Sequence, residues 1–314
     1  MKVSILTLEQ ILNQFKKSRQ KSPQTYLAMY SSWLGGIVTD PELMLIPIDD
    51  HLVHRGDGVF EAMKYYERRL YLADEHLNRL LGSAEKISLP VPNTKEEIRT
   101  LIVETLKAAK TDNAVIRMFV SRGPGGFGPS PYDSCGSQLY IIVTNPKPFD
   151  PKKYETGVRV GISKIAMKDK FFATVKTCNY LPNVMMKKES VDNNWDFSVN
   201  ISPEGFVGES ATENIAMISQ SNEFLIPSFK YTLRGTTLLR MMTLAKPHCH
   251  SVKERDLTIK DFLNAKEVLM CGTTMGIVAV TEFDGKKISN GKPGAFADQF
   301  AKLFKEDLLS YSQL

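Results

Sequence analysis

Cysteine is sparse in this chain. Cys135, Cys178, Cys249 and Cys271 stand far apart among 314 residues, with no CxxC pair and no zinc-type spacing. That excludes a disulfide framework and a zinc module, and it fits reduced thiols in a cytoplasmic protein. His248 and His250 flank Cys249 without further ligand-type neighbours, so they read as a polar loop rather than a metal site. Long apolar runs are also missing, and no segment approaches the roughly 20 residues that a bilayer span needs. Charge of one sign is not in excess: 40 basic residues against 35 acidic ones, interspersed, leave a net +5. Neither a nucleic-acid surface nor a polyanion-binding stripe follows from that balance. There is no low-complexity tract and no internal repeat, which excludes a solenoid. What remains is an ordinary globular composition, 42% apolar and 24% charged, on a length that suits one large or two ordinary domains.

The opening residues, MKVSILTLEQILNQFKK, carry a short apolar run that stops at Glu9. Leu8, Ile11, Leu12 and Phe15 follow helical spacing behind a Thr7–Gln10 capping box. This reads as an amphipathic helix packing on the body, not as a leader. TYLAMYSSWLGGIVTD predicts a hairpin at Gly35-Gly36, and ELMLIPID a further strand. A helix from about Asp74 shows Leu77, Leu80, Leu81, Ala84 and Ile87 on one face. Another covers Lys95 to Ala109, capped by Asn93 or Thr94. NAVIRMFVSRG and SQLYIIVTN read as strands joined by GPGGFGPSPYDSCG, a flexible rim. NPKPFDPKKYETG, with three prolines and no apolar periodicity, is the linker candidate. Beyond it, GVRVGISKI, the meander from Phe197 to Ser228, EVLMCGT and GIVAVTEFDGKKI predict strands. TTLLRMMTLA, IKDFLNAK and a closing segment from about Gly294 predict helices. Strands and helices mix without βαβ alternation, so the expected class is α+β with two domains, not a doubly wound sheet.

One stretch is anomalous. In FFATVKTCNYLPNVMM, Lys176 is the single charged residue. A lysine there either snorkels its amine to water or is kept dry, which lowers its pKa and frees an amine that can capture an aldehyde. Pyridoxal phosphate exploits the second case, and it needs a phosphate cradle and an acid for its pyridine nitrogen. GFVGESATEN places Glu209 among small residues on a strand. RGTTLLR puts Gly235, Thr236 and Thr237 before a helix, where backbone NH groups serve equally as a phosphate site or as ordinary caps. Arg79 lies off its helix's apolar face. CGTT, with Thr273 and Thr274, follows an apolar strand.

Taken in order, HRGDGVFEAMK, HLNRLLGSAEKI, KTCNYLPNVMMKKE, GFVGESATENI, RGTTLLR, EVLMCGTT and DGKKISNGKPG resemble the class IV aminotransferases, the fold-type IV pyridoxal-phosphate family. That family holds branched-chain and D-amino acid aminotransferases and aminodeoxychorismate lyases, and the resemblance spans about Leu34 to Phe304. It implies that Lys176 is the Schiff-base lysine and proton shuttle. Glu209 would face the pyridine nitrogen, Tyr180 the phenolic oxygen, and Asn214 would support the site. Arg79, Thr236, Thr237 and Thr273 would hold the phosphate. Phe60 and Glu61 would stand at the pocket wall, with Phe60, Arg117 and Thr274 toward substrate.

The implied fold has a helical extension over 1–28 and a smaller N-terminal α/β domain over 29–145. A linker over 146–156 leads to a larger C-terminal domain over 157–314, with pyridoxal phosphate between the domains and a homodimer completing each pocket. Small amino acids and 2-oxo acids are the implied partners, with no nucleic acid and no membrane. Glu61 and Arg117 resemble the branched-chain subgroup, in which the arginine takes the distal carboxylate of 2-oxoglutarate. SRGPGG resembles the lyases, whereas the HRGDGVF entry resembles plant-type D-amino acid transaminase relatives. Val115 and Arg55 replace two tyrosines of the branched-chain carboxylate site. Leu238 departs from the family's GITR, and Gly276 stands where an acidic residue is usual. The expected activity is amino-group transfer from a branched-chain-like amino acid to a 2-oxo acid. Aminodeoxychorismate cleavage and D-amino acid transamination are the alternatives.

Overall fold

The structure is a computed structural model that describes residues 3–17 and 26–311. After helix α1 (Leu8–Lys17), the first half comprises β1 (Tyr26–Ser31), β2 (Gly36–Val38), α2 (His51–Arg55), β3 (Gly58–Tyr66) and β4 (Arg69–Leu70). It continues through α3 (Ala73–Lys86), α4 (Lys95–Ala109), β5 (Ala114–Ser121) and β6 (Gln138–Thr144). Its strands form one antiparallel sheet in the order β2-β1-β6-β5-β3-β4. Successive strand residues face opposite sides. Val59 and Met63 of β3 and Ile116 and Met118 of β5 therefore pack with Leu77, Leu80, Ile98 and Ile102 of the two long helices. The alternate residues, Phe60, Ala62 and Arg117, point the other way, into a cavity.

The second half comprises α5 (Lys152–Thr156), β7 (Val158–Ile162), α6 (Lys170–Ala173), α7 (Leu181–Asp192), β8 (Phe197–Ile201), β9 (Val207–Ser210), β10 (Asn214–Ile218) and β11 (Glu223–Pro227). Then follow α8 (Thr236–Ala245), β12 (Ser251–Arg255), α9 (Ile259–Leu263), β13 (Glu267–Gly272), β14 (Gly276–Phe283), β15 (Lys286–Lys287) and α10 (Ala295–Ser310). The mixed sheet runs β12-β11-β10-β13-β14-β7-β8-β9, with β15 on β14. Apolar clusters cover both of its faces, which explains why β13 reads as a continuous apolar run rather than alternating. β7 and β8 are parallel neighbours, so a crossover must join them. That crossover carries α6, Lys176 and α7.

Helix α3 is positioned by both halves. Leu72, its N-cap, is left-handed at φ 54° and makes no side-chain cap. Instead Tyr71 and Leu72 are buried in the apolar cluster of α8 and α10. The Tyr71 hydroxyl donates to Asp307 at 2.6 Å, and Arg240 pairs with the same carboxylate. The helix that carries His76 and Arg79 thus begins inside the second core.

Several expectations are corrected. ELMLIPID is not a strand: a short 3-10 turn at Pro41–Leu43 is followed by irregular chain. Pro41 and Pro47 lack NH donors, and Leu43, Leu45, Ile46 and Ile48 stay exposed. Helix α1 has the expected Thr7–Gln10 box, yet Leu8 and Leu12 are exposed. Only Phe15 of its apolar face reaches a groove on the body. The stretch 122–136 is pinned rather than a flexible rim. Cys135 NH donates to Pro124 O at 2.8 Å, the Ser134 hydroxyl donates to Arg122 O at 2.6 Å, and the His51 ring lies 3.0 Å from Gly126 O. The proline-rich stretch contains the short α5. Among the described residues no helix is long and apolar enough to cross a membrane.

Candidate active site

Lys176 is held by its backbone. Its NH donates to Ser83 Oγ at 3.3 Å, and its carbonyl accepts from Phe60 NH at 3.0 Å. Cys178 NH donates to Gly58 O at 2.9 Å, and Val59 and Thr177 form a bridge. Residues 176–178 therefore run as an extra rung along β3. Val175 and Thr177 are buried on the sheet side, and alternation turns Lys176 into the cavity. That answers why an ammonium stands here: its immediate neighbours Val175 and Thr177 are core, and it faces the cavity. The amine lies 4.5 Å from the Phe60 ring centroid and 5.7 Å from that of Tyr180. Burial, and then the charge of Arg79, pull its pKa down to about 8.

The cavity has a volume of about 350 Å³, within the range of small-molecule sites. It gathers Phe60, Arg79, Arg117, Lys176, Tyr180, Glu209, Asn214, Thr236, Thr237, Thr273 and Thr274 at one place. Every residue singled out for cofactor or substrate is in that set. Glu61 is not. It is fully buried behind the wall, because the residue after Phe60 must face the opposite side of β3. There it accepts Arg79 Nε at 2.6 Å and Nη2 at 2.8 Å, and it meets His76 Nδ1 at 2.7 Å. Burial raises its pKa, but the Arg79 charge and the bonds from Arg79 and His76 outweigh that and hold it near 2. Arg79 also donates to Arg234 O at 3.0 Å, which presents its guanidinium beside the start of α8.

Glu209 is an acid in a dry place. Burial pushes its pKa up to about 7, against the Leu233 NH and the charges of Lys176, Lys168 and Arg79. Both of its side-chain hydrogen bonds fall on Oε2, from Leu233 NH at 3.0 Å and Asn214 Nδ2 at 3.2 Å. Asn214 Nδ2 also donates to Leu233 O at 3.0 Å, so it fixes the carboxylate's rotamer. The Tyr180 phenol, edge-on to Phe60, has its pKa raised by burial.

Helix α8 begins at Gly235 without a side-chain cap, leaving first-turn NH groups toward the cavity. A Cβ at Gly235 would overlap Asn214 Oδ1, so only glycine allows this approach. An uncapped helix N-terminus beside an arginine is a built anion cradle.

Sequence reasoning missed three residues here. His76 lies one helical turn before Arg79 and joins Glu61 to Thr236. Lys168 sits 4.9 Å over the Tyr180 ring and bears on Glu209. Lys64 donates to Thr274 O at 3.3 Å, tying β3 to the β13–β14 turn. The i to i+3 spacing of His76 and Arg79 was the one available signal.

The family model of class IV amino-transferases matches residues 58–283. The chain belongs to the class IV aminotransferases. It is 35% identical over 315 residues to a chloroplastic D-amino-acid transaminase of Arabidopsis thaliana, covering 98% of this chain and 83% of that one. It is 31% identical to a putative branched-chain-amino-acid aminotransferase of Methanocaldococcus jannaschii, covering 87% and 95%. A branched-chain amino acid aminotransferase from T.th., solved with pyridoxamine 5'-phosphate, superposes with a TM-score of 0.85. The match covers 90% of this chain and 94% of that one at 22% identity, which establishes the shared fold. As a class IV aminotransferase the chain is an enzyme of α+β architecture.

Proposed function

We propose that this class IV aminotransferase uses pyridoxal phosphate to move an amino group from an α-amino acid to a 2-oxo acid, at the cavity of Lys176. The observation that carries the reading is one 350 Å³ cavity lined by a depressed lysine, an elevated glutamic acid and an uncapped helix N-terminus. The cradle fits the cofactor: Arg79, Thr273 and the first-turn NH groups of Thr236 and Thr237 would hold its phosphate. When bound, pyridoxal phosphate supplies a ring that draws electrons from the substrate's α-carbon. Lys176 Nζ, neutral in an appreciable fraction near pH 7.5, takes the α-proton and returns it after transfer. Asn214 and Leu233 occupy Glu209 Oε2, so Oε1 is the oxygen with which Glu209 would hold a proton on the cofactor's pyridine nitrogen. Tyr180, on the cavity wall, would donate to the phenolic oxygen.

Arg117 donates to Thr144 Oγ1 at 3.1 Å and has no carboxylate partner among the described residues. It suits a second carboxylate on the oxo acid, such as that of 2-oxoglutarate. Phe60 and Ala62 give the cavity an apolar wall for a branched-chain-like donor. Arg117→Leu should raise KM for 2-oxoglutarate about tenfold to a hundredfold, the worth of one charged hydrogen bond, and leave KM for a 2-oxo monocarboxylate nearly unchanged. Equal effects on both acceptors remove the assignment. A second reading, a D-amino acid donor, is favoured by the 35% identity to the Arabidopsis D-amino-acid transaminase. L-leucine, D-alanine and aminodeoxychorismate offered in parallel separate the readings. Release of p-aminobenzoate without an oxo acid would end the transaminase proposal.

The two sheets support a division into domains 29–145 and 157–314 joined by 146–156. Four free cysteines support a reducing compartment, the cytoplasm. A homodimer is proposed from an apolar groove of about 570 Å³ lined by Met29, Met44, Leu45, Leu52 and Ile142. Exposed Trp33, Leu34, Leu43 and Ile48 add to the apolar surface of the same half, and such area marks an interface. The 35.3 kDa chain should sediment as a dimer and Leu45→Asp as a monomer; a wild-type monomer at micromolar concentration refutes this.

A further inference from the structure

His76 is a buried titratable group beside the cavity to which the proposed reaction gives no work. It is fully buried and bridges two elements. Its Nδ1 lies 2.7 Å from Glu61 Oε2, and its Nε2 lies 3.2 Å from Thr236 Oγ1. The groups around it are Glu61 on β3, Arg79 on its own helix, Lys176 on the crossover and Thr236 on α8. Their chemistry fixes every proton in this chain of bonds. Glu61 is ionised and only accepts, so Nδ1 must carry hydrogen. Burial disfavours the imidazolium, the charges of Arg79 and Lys176 act the same way, and Glu61 opposes them; the balance lies below the ordinary histidine value. A neutral ring with hydrogen on Nδ1 leaves Nε2 a bare acceptor. The Thr236 hydroxyl must therefore donate to His76.

That arrangement is wrong for an anion. Thr236 lines the cavity at the start of α8, yet its hydroxyl hydrogen is spent on His76, and it turns only lone pairs toward whatever enters. The backbone NH groups and Arg79 attract a phosphate while this oxygen repels it. One change resolves the conflict: a proton on Nε2. The imidazolium then donates to Thr236 Oγ1, and the hydroxyl hydrogen is released to point into the cavity. An opposite charge within about 4–6 Å raises a histidine's proton affinity enough to cross neutrality.

We propose that His76 is the positioning residue of the anion site: it takes up one proton from solvent as a phosphate-monoester dianion enters, so that the Thr236 hydroxyl turns from His76 to the phosphate. This rests on the reading of the cavity as a pyridoxal-phosphate site. Apart from proton uptake, no bond is made or broken. Threonine stands at this position where the GITR pattern would place an isoleucine that has no hydroxyl.

The test uses the full-length, cofactor-free chain and pyridoxamine 5'-phosphate, whose lack of an aldehyde removes Lys176 capture from the proton count. Titration calorimetry at pH 7.5, repeated in buffers of different ionisation heat, reads the protons taken up per ligand. Wild type should take up close to one proton more than His76→Gln, and Thr236→Val should lose most of that difference, because it leaves an Nε2 proton without an acceptor. In ¹⁵N spectra, the imidazole missing from His76→Gln should gain a protonated Nε2 as ligand is added. A merely structural His76 would weaken binding without moving the proton count. Equal counts in wild type and both variants, or an Nε2 that stays bare in the complex, overturn the proposal. Failure of wild type to bind pyridoxamine 5'-phosphate at all is a separate result that overturns the cofactor reading and the relay with it.

Discussion

Lys176→Ala should abolish amino-group transfer, with kcat falling by about 10⁴-fold, the scale of removing a positioned proton-transfer group. The same variant should lose the borohydride-reducible chromophore expected of wild type with pyridoxal phosphate, because among the described residues no other lysine lines the cavity. Arg79 and Arg117 also line it, but a guanidinium keeps its charge and does not capture aldehydes. The pH dependence of aldehyde capture by the cofactor-free chain gives a second reading of the same residue. A pKa near 8 means the neutral amine is the minority form at pH 7 and the majority above pH 8. The capture rate should therefore climb through pH 7–8 and level off near 9. An unshifted lysine would keep climbing beyond 10. A variant that retained the chromophore, or a profile still rising at pH 10, would show that this amine is not the one at work.

Glu61→Ala should destabilise the fold by about 3–5 kcal/mol, the cost of stranding the partners of a buried ion pair. Two bonds from Arg79 and one from His76 end on this single, fully buried carboxylate. Removing it leaves a guanidinium and an imidazole without their acceptor. Urea unfolding monitored by tryptophan fluorescence measures the loss. Glu61→Gln, which keeps an acceptor oxygen but not the charge, should lose roughly half as much. The group's pH signature follows from its depressed pKa. The unfolded carboxyl titrates near 4.5 and the folded one near 2. Its stabilisation is therefore complete above about pH 4.5 and disappears as pH falls toward 2. The size of that contribution is on the order of 3 kcal/mol. Wild type should lose stability through that window and Glu61→Gln should lose much less. Parallel acid profiles for the two proteins would show that the carboxylate is not held as described.

The two predictions separate chemistry from support. Lys176 faces the cavity, whereas Glu61 lies behind its wall, bonded to Arg79, His76 and the Ala62 NH, and yet both lie on the short stretch of contact between β3 and the crossover. The backbone pairings of Phe60 NH with Lys176 O and of Cys178 NH with Gly58 O set the distance between them.

Much of this was legible in the residues themselves. Local signals settle where a helix starts. Thr94, one of the two caps the spacing allowed, caps α4, and Gly235 opens α8. Lys176 and Glu209 stood out because a charge among apolar or small residues has few bland explanations. Other features carried no local signal. β12 reads SVKER, mostly exposed, and becomes a strand only because β11 offers it a parallel edge. Helix α7 has no strong apolar stripe, so its periodicity was silent. Glu61 looked like part of the pocket wall until the pleat of β3 turned it toward α3. His76 looked like any helical histidine until α8, 160 residues away, brought a hydroxyl to its ring. Residue type and spacing thus determined which groups this protein owns and which local elements carry them. Only the tertiary structure decided which of those groups share a dry cavity and which lie behind its wall. Desolvation and hydrogen-bond pairing depend on neighbours distant in the chain, and no window of sequence contains them.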